Sequence, residues 1–134
     1  MSQGSKCILL ADDDIEDHDL LENFLRTLDA TKNVTGLFNG GEVLDYLNDC
    51  PDDDLPCLII LDFKMPVMNA DEILKSLGSL PRYKDIPKVV WSTSNQSQHI
   101  DACIKNGAAA YFTKPGTLDE LGSIARQMLR LANV

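Results

Sequence analysis

Short apolar runs alternate with segments of helical periodicity along the whole of this sequence. Five runs have the composition of strands: residues 6–11, 33–39, 57–61, 88–92 and 109–113. After each run, apolar side chains return every three or four residues, which is typical of an amphipathic helix. Five strands that alternate with five helices predict an α/β domain with a mainly parallel sheet covered on both faces.

Capping residues predict where some of the helices begin and end. Ser94 or Asn95 is expected to cap the fourth helix, and Gly107 is typical of the residue that follows a helix. Thr117 and Glu120 have the spacing of a capping box. This spacing predicts that the fifth helix begins there, and its apolar pattern continues almost to the end of the chain.

The length and charge of the chain limit the classes of function. Its 134 residues provide one hydrophobic core, so we expect a single domain over residues 1–134 with no output domain. With 12 basic and 21 acidic residues the net charge is −9, which disfavours nucleic acid and anionic membranes as partners. No apolar run approaches the roughly 20 residues that cross a bilayer, and residues 1–6 lack a secretory signal. The sequence therefore predicts a cytoplasmic protein.

The cysteines and histidines predict no zinc site and no redox site. The sequence has neither a CxxC pair nor a Cys/His ligand spacing, and its cysteines are too sparse for a disulfide scaffold. We expect reduced thiols that pack as small apolar side chains, at Cys7, Cys50, Cys57 and Cys103. His18 and His99 have no evident partner and are expected on solvated helix faces.

Polar side chains stand at or just beyond the carboxyl ends of four predicted strands. Asp12 and Asp13 follow the first strand, and Asp62 follows the third. Ser92 ends the fourth strand, and Lys114 follows the fifth. Because ligands of open parallel sheets bind outside the carboxyl ends of the strands, we expect all five side chains to face one crevice.

Three carboxylates in one crevice need a cation. Carboxylates about 4 Å apart repel each other by roughly 4 kcal/mol per pair at an effective dielectric of about 20. Hard carboxylate oxygens, with room for water and phosphate, suit Mg²⁺ or Mn²⁺ better than zinc. With the ammonium group of Lys114 and the hydroxyl of Ser92, such a metal could hold a phosphoryl group. A second acidic triplet, 52–54, lies in a helix-to-strand loop at the opposite end of the sheet and is expected to be solvated.

The order and spacing of these residues resemble the receiver domain of two-component response regulators. The motifs that carry the resemblance are Asp12–Asp13, the segment LDFKMP at 61–66, Ser92 and Lys114–Pro115. Each motif alone is weak, but all of them occur in order over nearly the whole chain. The resemblance implies a flavodoxin-like (βα)5 three-layer sandwich with five parallel strands in the order 2-1-3-4-5.

The resemblance also implies roles for the acidic residues. Asp62 would be the phosphoacceptor, which takes a phosphoryl group from the phosphohistidine of a histidine kinase. Asp13 and Asp62, with the backbone carbonyl of Lys64, would bind Mg²⁺ or Mn²⁺, and Asp12 would orient a metal-bound water. Such a domain is not an enzyme but a phosphoacceptor that assists its own phosphorylation and dephosphorylation.

The resemblance further implies how a signal leaves the site. Ser92 and Lys114 would contact the phosphoryl oxygens, and the ring of Tyr111 would reorient as the hydroxyl of Ser92 is drawn toward the phosphate. The bond between Lys114 and Pro115 would be cis, as is usual in the family. The implied partners are a histidine kinase or histidine phosphotransfer protein, a downstream protein in trans, and a second copy bound through the fourth helix, fifth strand and last helix.

Two positions depart from the family pattern. Ala70 stands where the family usually has glycine, so the backbone of that loop is expected to differ locally. Thr93 is bulkier than the small residue that commonly follows the hydroxyl position. Its bulk could restrict the access of water to Asp62, so we expect slow hydrolysis of the phosphorylated form.

Simpler interpretations stay open at this point. Asp13 or Asp14 could serve only as a helix N-cap, and Tyr111 could be an ordinary core aromatic. An interaction module that works unphosphorylated would have the same fold, and a Mg²⁺-dependent phosphohydrolase would also use an aspartyl phosphate. A flavodoxin-type FMN protein would need a Ser/Thr/Gly phosphate loop where this chain has three aspartates.

Overall fold

The computed structural model describes residues 6–133, which form a parallel β-sheet between two layers of helices. The five strands of this segment are β1 Cys7–Ala11, β2 Asn33–Leu37, β3 Leu58–Leu61, β4 Lys88–Ser92 and β5 Ala110–Thr113. The five α-helices of residues 6–133 are α1 Ile15–Leu28, α2 Gly40–Asp49, α3 Ala70–Gly78, α4 Ser97–Lys105 and α5 Leu118–Ala132. The strands lie in the order β2-β1-β3-β4-β5, and all neighbouring pairs are parallel. The predicted α/β fold and strand order are confirmed.

The helices divide between the two faces of the sheet according to which strand residues they cover. Leu9 and Ala11 of β1 pack with side chains of α2, α3 and α4, whereas Ile8 and Leu10 pack with α1 and α5. Every residue of β3 is buried because both faces of the central strands are covered. This double coverage explains the uninterrupted apolar run at 57–61 in the sequence.

Side-chain N-caps hold the first turns of α1 and α5. The carboxylate of Asp14 accepts the backbone N–H of Asp17 at 3.1 Å. The hydroxyl of Thr117 accepts the N–H of Glu120 at 3.2 Å and donates to the Glu120 carboxylate at 3.1 Å. These caps satisfy amide groups that have no partner inside the helix, and so they fix where each helix begins. The predicted start of the last helix is confirmed.

The start of α4 differs from the prediction. This helix begins after Gln96, whose side chain makes no capping hydrogen bond. The hydroxyl of Ser94 instead lies 2.6 Å from the ring Nδ1 of His99. The prediction that Ser94 or Asn95 caps the helix is wrong, because the chain stays extended at Gln96 before the first turn. The end of α4 is as predicted, since Gly107 has a φ of 108° after the last turn.

Neither histidine lies on a solvated helix face. His18 of α1 is buried, and its ring stacks on Phe38 with a centroid distance of 4.8 Å. His99 of α4 is half-buried and stacks on Phe63 with a centroid distance of 4.1 Å. The expectation of exposed histidines is wrong, because both rings pack as flat surfaces against an aromatic neighbour.

Three smaller expectations concern the thiols, the proline bond and the membrane. No disulfide joins the cysteines of residues 6–133, and burial raises the pKa of Cys103 to about 12. Over the same residues every peptide bond is trans, so the cis bond implied for Lys114–Pro115 is not found; trans is the lower-energy isomer of an X–Pro bond. None of the helices within residues 6–133 has both the length and the apolar character that a membrane span needs.

Gly36 of β2 lies against the buried ring of His18, which leaves no room for a side chain. A Cβ at this position would overlap ring atoms of His18. We expect Gly36→Ala to displace the ring from Phe38 and to lower the free energy of unfolding by about 1–3 kcal/mol, measured by urea denaturation. The matched control is Gly78→Ala, where a Cβ would meet only the carbonyl oxygen of Asn106, at 3.9 Å. An equal loss of stability in both variants would contradict this packing.

Candidate functional site

Three carboxylates from two neighbouring strands meet at the carboxyl edge of the sheet. Asp12 and Asp13 directly follow β1, and Asp62 directly follows β3. The pairing of these strands continues past their ends, since the N–H of Asp62 donates to the carbonyl of Ala11 at 2.9 Å. One oxygen from each of the three carboxylates lies within 4.8 Å of the others. We call this group the acidic pocket; Asp12 and Asp62 are its buried members, and Asp13 is exposed.

Lys114 is the cation that faces the acidic pocket. It follows β5, and its Nζ lies 2.9 Å from Asp12 Oδ2 and 3.3 Å from Asp62 Oδ2. A further carboxylate, that of Asp17 in α1, lies 2.9 Å from the same Nζ. The ring centroid of Trp91 is 4.9 Å from the ammonium group, a distance at which a cation is attracted to an aromatic face. Lys114 therefore joins α1 and the ends of β1 and β3 to the segment after β5.

Asp17 is a residue of this site that the sequence analysis missed. It stands in the first turn of α1, where acidic residues commonly interact with the helix dipole, so its position alone gave no sign of a contact with Lys114. Trp91, the residue before Ser92 in β4, is buried among side chains of α1 and α5. Its contact with the Lys114 ammonium group is the part that strand alternation could not predict.

Burial and charge oppose each other at the acidic pocket. Burial of Asp62 raises its pKa from 3.8 to about 6; the Lys114 ammonium opposes this rise, and the Asp12 carboxylate adds to it. Burial by itself would lower the pKa of Lys114, but hydrogen bonds to Asp12 and Asp17 and the charge of Asp62 outweigh burial and raise it. Lys114 therefore stays charged, while Asp62 binds its proton more tightly than an exposed aspartate.

The donor atoms of the acidic pocket fit a hard divalent cation. Three carboxylates face one ammonium group there, and the carboxylate of Asp13 accepts no hydrogen bond from residues 6–133. Oxygen ligands of this kind suit Mg²⁺ or Mn²⁺, which bind carboxylates together with water. The exposure of Asp13 leaves room for water. Asp12, Asp13 and Asp62 are therefore the side chains that would surround the ion, and Lys64 lies two residues beyond Asp62.

Ser92 and Tyr111 are connected through Ser94. Ser92 ends β4 and is buried, and its Oγ accepts the backbone N–H of Ser94 at 3.2 Å. Tyr111 of β5 is half-buried, and its hydroxyl donates to the backbone carbonyl of Ser94 at 2.7 Å. Burial raises the pKa of Tyr111, although hydrogen bonding with Ser92 and Ser94 opposes the rise. The backbone of Ser94 thus connects Ser92 and Tyr111, the two side chains that would act together in the switch implied by the family resemblance.

A backbone hydrogen bond joins the two ends of the loop between Asp62 and α3. The N–H of Ala70, the buried first residue of α3, donates to the carbonyl of Phe63 at 2.8 Å. Between them, Val67 has a φ of 76°, which is unusual for a β-branched residue. The side chains of Lys64 and Thr93 are both exposed.

The second acidic triplet lies away from the acidic pocket. Residues 52–54 form a 3₁₀ turn that precedes β3, whereas Asp62 follows that strand. All three side chains are exposed, and Asp52 forms an ion pair with Arg82 at 2.8 Å. The expectation of a solvated triplet is confirmed, so this triplet provides a control for the acidic pocket.

Comparison with known proteins identifies the family. A family model described as the response regulator receiver domain matches residues 8–126. The chain belongs to the response regulator receiver domain family. The two-component response regulator ORR5 of Oryza sativa subsp. japonica is 30% identical over 127 residues, which cover 95% of this chain and 91% of ORR5. Response regulator ARR3 of Arabidopsis thaliana is 30% identical over 132 residues, which cover 92% of this chain and 55% of ARR3.

Solved structures of response regulators have the same fold. The phosphorylated cyanobacterial phytochrome response regulator RcpA is 28% identical and superposes with a TM-score of 0.86, covering 97% of this chain and 95% of RcpA. The Mn²⁺-bound form of response regulator Rcp1 is 27% identical, with a TM-score of 0.80, and covers 90% of this chain and 89% of Rcp1. Both agree with the doubly covered parallel sheet described above.

Membership of the family determines the class of function. Receiver domains act in phosphorylation-dependent two-component signalling, and they are signalling domains rather than classical enzymes. Receiver domains bind a divalent metal and interact with histidine kinases or phosphotransfer proteins. The family and signalling function predicted from the sequence are therefore confirmed for this chain.

Asp62→Asn removes a carboxylate whose ionisation the folded protein disfavours. The pKa of Asp62 is raised from 3.8 to about 6, so the contribution of this carboxyl to the stability of the wild-type protein falls as the pH rises from about 4 to about 6. Without divalent metal at pH 7.5, we expect Asp62→Asn to be the more stable protein by on the order of 1–2 kcal/mol. This corresponds to a rise in Tm of roughly 3–8 °C, measured by thermal denaturation.

The pH dependence and a second variant provide the controls for this measurement. The difference in stability should shrink at pH 4, where the folded wild-type protein holds the proton on Asp62. Asp53→Asn neutralises an exposed carboxylate of the second triplet and should leave Tm nearly unchanged. An Asp62→Asn protein that is no more stable than wild type at pH 7.5 would contradict this account of the pocket.

Proposed function

We propose that Asp62 is the phosphoacceptor of a two-component phosphotransfer reaction. The observation that carries the proposal is the position of its carboxylate, at the end of β3, with Lys114 at 3.3 Å and two more carboxylates beside it. A histidine kinase or a histidine phosphotransfer protein supplies the phosphoryl group. The exposure of Asp13 supports the approach of a phosphohistidine from solvent.

The transfer moves a phosphoryl group from nitrogen to oxygen. A carboxylate oxygen of Asp62 attacks phosphorus, so that a P–O bond forms while the P–N bond of the phosphohistidine breaks. The electron pair of the P–N bond stays on the imidazole nitrogen, which takes up a proton from solvent. Asp62 must be ionised to attack, and positive charge beside it favours the ionised form.

The metal of this proposal is Mg²⁺. Asp13, Asp62 and the backbone carbonyl of Lys64 would bind the ion, and Asp12 would orient a metal-bound water molecule. When bound, the ion neutralises charge on the phosphoryl oxygens and on the attacking carboxylate. Mn²⁺ is the alternative, because the same oxygen ligands accept both ions and the relative Rcp1 has a Mn²⁺-bound form.

Ser92 and Lys114 contact the transferred phosphoryl group. Lys114 Nζ already lies 3.3 Å from Asp62 Oδ2, and Ser92 is buried at the end of the neighbouring strand β4. A pull on the hydroxyl of Ser92 acts on the Ser94 backbone that accepts the Tyr111 hydroxyl. Tyr111 is therefore the switch residue of the proposal.

The surface formed by α4, β5 and α5 passes the signal on. This surface binds a downstream protein in trans. The same surface can instead bind a second copy of the chain to form a homodimer. Exposed apolar side chains on these helices, Ile104 and Leu118, support an interface there. One receiver domain over residues 1–134, acting in the cytoplasm, stays a prediction of the sequence.

Intact mass after incubation with acetyl phosphate or phosphoramidate tests the phosphoacceptor. We expect the gain of one phosphoryl group only with Mg²⁺ present, because the ion and Lys114 together must offset the charge of donor and carboxylate. Asp62→Asn should gain none. Two donors are used because Thr93 could exclude one of them.

The matched control for this experiment is Asp53→Asn. It changes an equally acidic side chain of the second triplet and should be phosphorylated as fully as wild type. A phosphoryl gain that persists in Asp62→Asn would contradict the assignment of Asp62. No gain with either donor, in folded protein that binds Mg²⁺, would favour an interaction module that works unphosphorylated.

Thr93→Ala tests whether the residue after Ser92 slows hydrolysis. Its side chain is exposed, and we expect its removal to let water reach the aspartyl phosphate more easily. The phosphorylated variant should therefore lose its phosphoryl group faster than wild type, followed by intact mass after removal of the donor. Equal phosphorylation of both proteins at the start is the control. An unchanged rate of dephosphorylation would show that Thr93 does not slow hydrolysis.

A further inference from the structure

Few buried side chains hold α4 to the rest of the domain. Of its nine residues only Cys103 is buried, whereas α3, with the same length, has four buried residues. The N-terminus of α4 also lacks a side-chain cap. A helix of this length is marginal in water without tertiary packing. The other contacts of α4 therefore have a large share in fixing its position.

One of these contacts is the stack between His99 and Phe63. The two ring centroids are 4.1 Å apart, and the ring planes differ by 15°. Phe63 is the residue that follows Asp62, and it is only 5% exposed. Its carbonyl accepts the N–H of Ala70, which ties this segment to the start of α3. His99 thus connects α4 to the residue next to the phosphoacceptor.

The His99 ring also contacts Ser94 through its Nδ1 atom. Nδ1 lies 2.6 Å from the hydroxyl of Ser94, which accepts the Gln96 N–H at 3.4 Å. The backbone of the same serine bonds to the Ser92 hydroxyl and to the Tyr111 hydroxyl. One histidine therefore contacts two of the segments beside the proposed phosphoryl site, the one after β3 and the one after β4.

We propose that His99 is a positioning residue that couples α4 to the state of Asp62, through its stack on Phe63 and its hydrogen bond with Ser94. The inference rests on the proposed function, since phosphorylation of Asp62 is the change that it transmits. A shift of the backbone after Asp62 moves Phe63, and a pull on Ser92 moves Ser94. Because His99 contacts both, α4 responds alongside the Tyr111 switch.

Three variants separate the two contacts of His99. His99→Ala removes the stack and the hydrogen bond together. His99→Phe keeps a flat ring over Phe63 but cannot bond to Ser94, and Ser94→Ala keeps the stack without the hydroxyl. Gln98→Ala is the matched control, because Gln98 is exposed on the same helix.

Hydrogen exchange of the α4 backbone is the readout. It is measured by mass spectrometry on residues 97–105 in three states: metal-free, with Mg²⁺ alone, and with Mg²⁺ and acetyl phosphate. Intact mass of each sample reports the phosphoryl gain. In wild type and Gln98→Ala we expect phosphorylation to change the exchange of α4. In His99→Ala the phosphoryl gain should persist while the change in α4 is lost, and His99→Phe should restore part of it.

The outcomes distinguish this inference from the proposed function. A normal phosphoryl gain with an unchanged α4 response in both His99→Ala and Ser94→Ala would overturn the coupling and leave the phosphoacceptor intact. Loss of the response in Gln98→Ala would also overturn it, because general weakening of the helix would then explain the effect. If wild type gains no phosphoryl group, the proposed function fails. The samples with Mg²⁺ alone then decide whether His99 couples α4 to the acidic pocket. An α4 response to Mg²⁺ that is absent, or equal in wild type and His99→Ala, would then overturn the coupling.

Discussion

The ion pairs of Lys114 make the acidic pocket compatible with a folded domain. The three carboxylates of the pocket have oxygens within 4.8 Å of one another. At about 4 Å, two carboxylates repel each other by roughly 4 kcal/mol at an effective dielectric of about 20, and burial adds to that cost. The Lys114 ammonium lies within 3.3 Å of two of these carboxylates and is itself supported by Asp17 and by the ring of Trp91. Because Lys114 follows the last strand, this balance exists only when β5 has paired with β4. The chemistry of the pocket therefore depends on completion of the sheet.

The parts of the molecule that the sequence predicted are those that depend on local pattern. Apolar runs marked the strands, and the carboxyl ends of those strands marked Asp12, Asp62 and Ser92 before any contact was known. Parallel strands bring their carboxyl ends to one edge, so residues 50 positions apart in sequence could be placed together. The exposed triplet at 52–54 shows that acidity alone does not predict a site, because the opposite edge of the sheet brings no partners to it. The strand order followed from the family resemblance and not from the pattern.

The parts that sequence analysis missed are contacts between side chains of distant elements. Asp17 looked like an ordinary acidic residue of a first helical turn, and its contact with Lys114 spans most of the chain. His18 and His99 were expected on solvated helix faces because neither has an evident partner in the sequence, yet each stacks on an aromatic residue from a distant loop. Such pairings depend on the distance and angle between packed elements, which periodicity does not encode. Charge and hydropathy rank these side chains as surface residues, and only the packing shows their contacts.

The two sides of the site differ in how firmly they are held. Asp12 and Asp62 extend from β1 and β3, whose residues are almost all buried, so the acidic pocket rests on strands that are packed on both faces. On the other side, β5 has no buried residue and α4 has one. A phosphoryl group carries a charge of about −1.5 to −2, more than the carboxylate it would modify. Because the segments with the fewest buried contacts open and shift at the lowest free energy, the proposed change of charge at the buried side would be accommodated at α4 and β5. The fold thus separates the place where the charge would change from the place where the structure can respond.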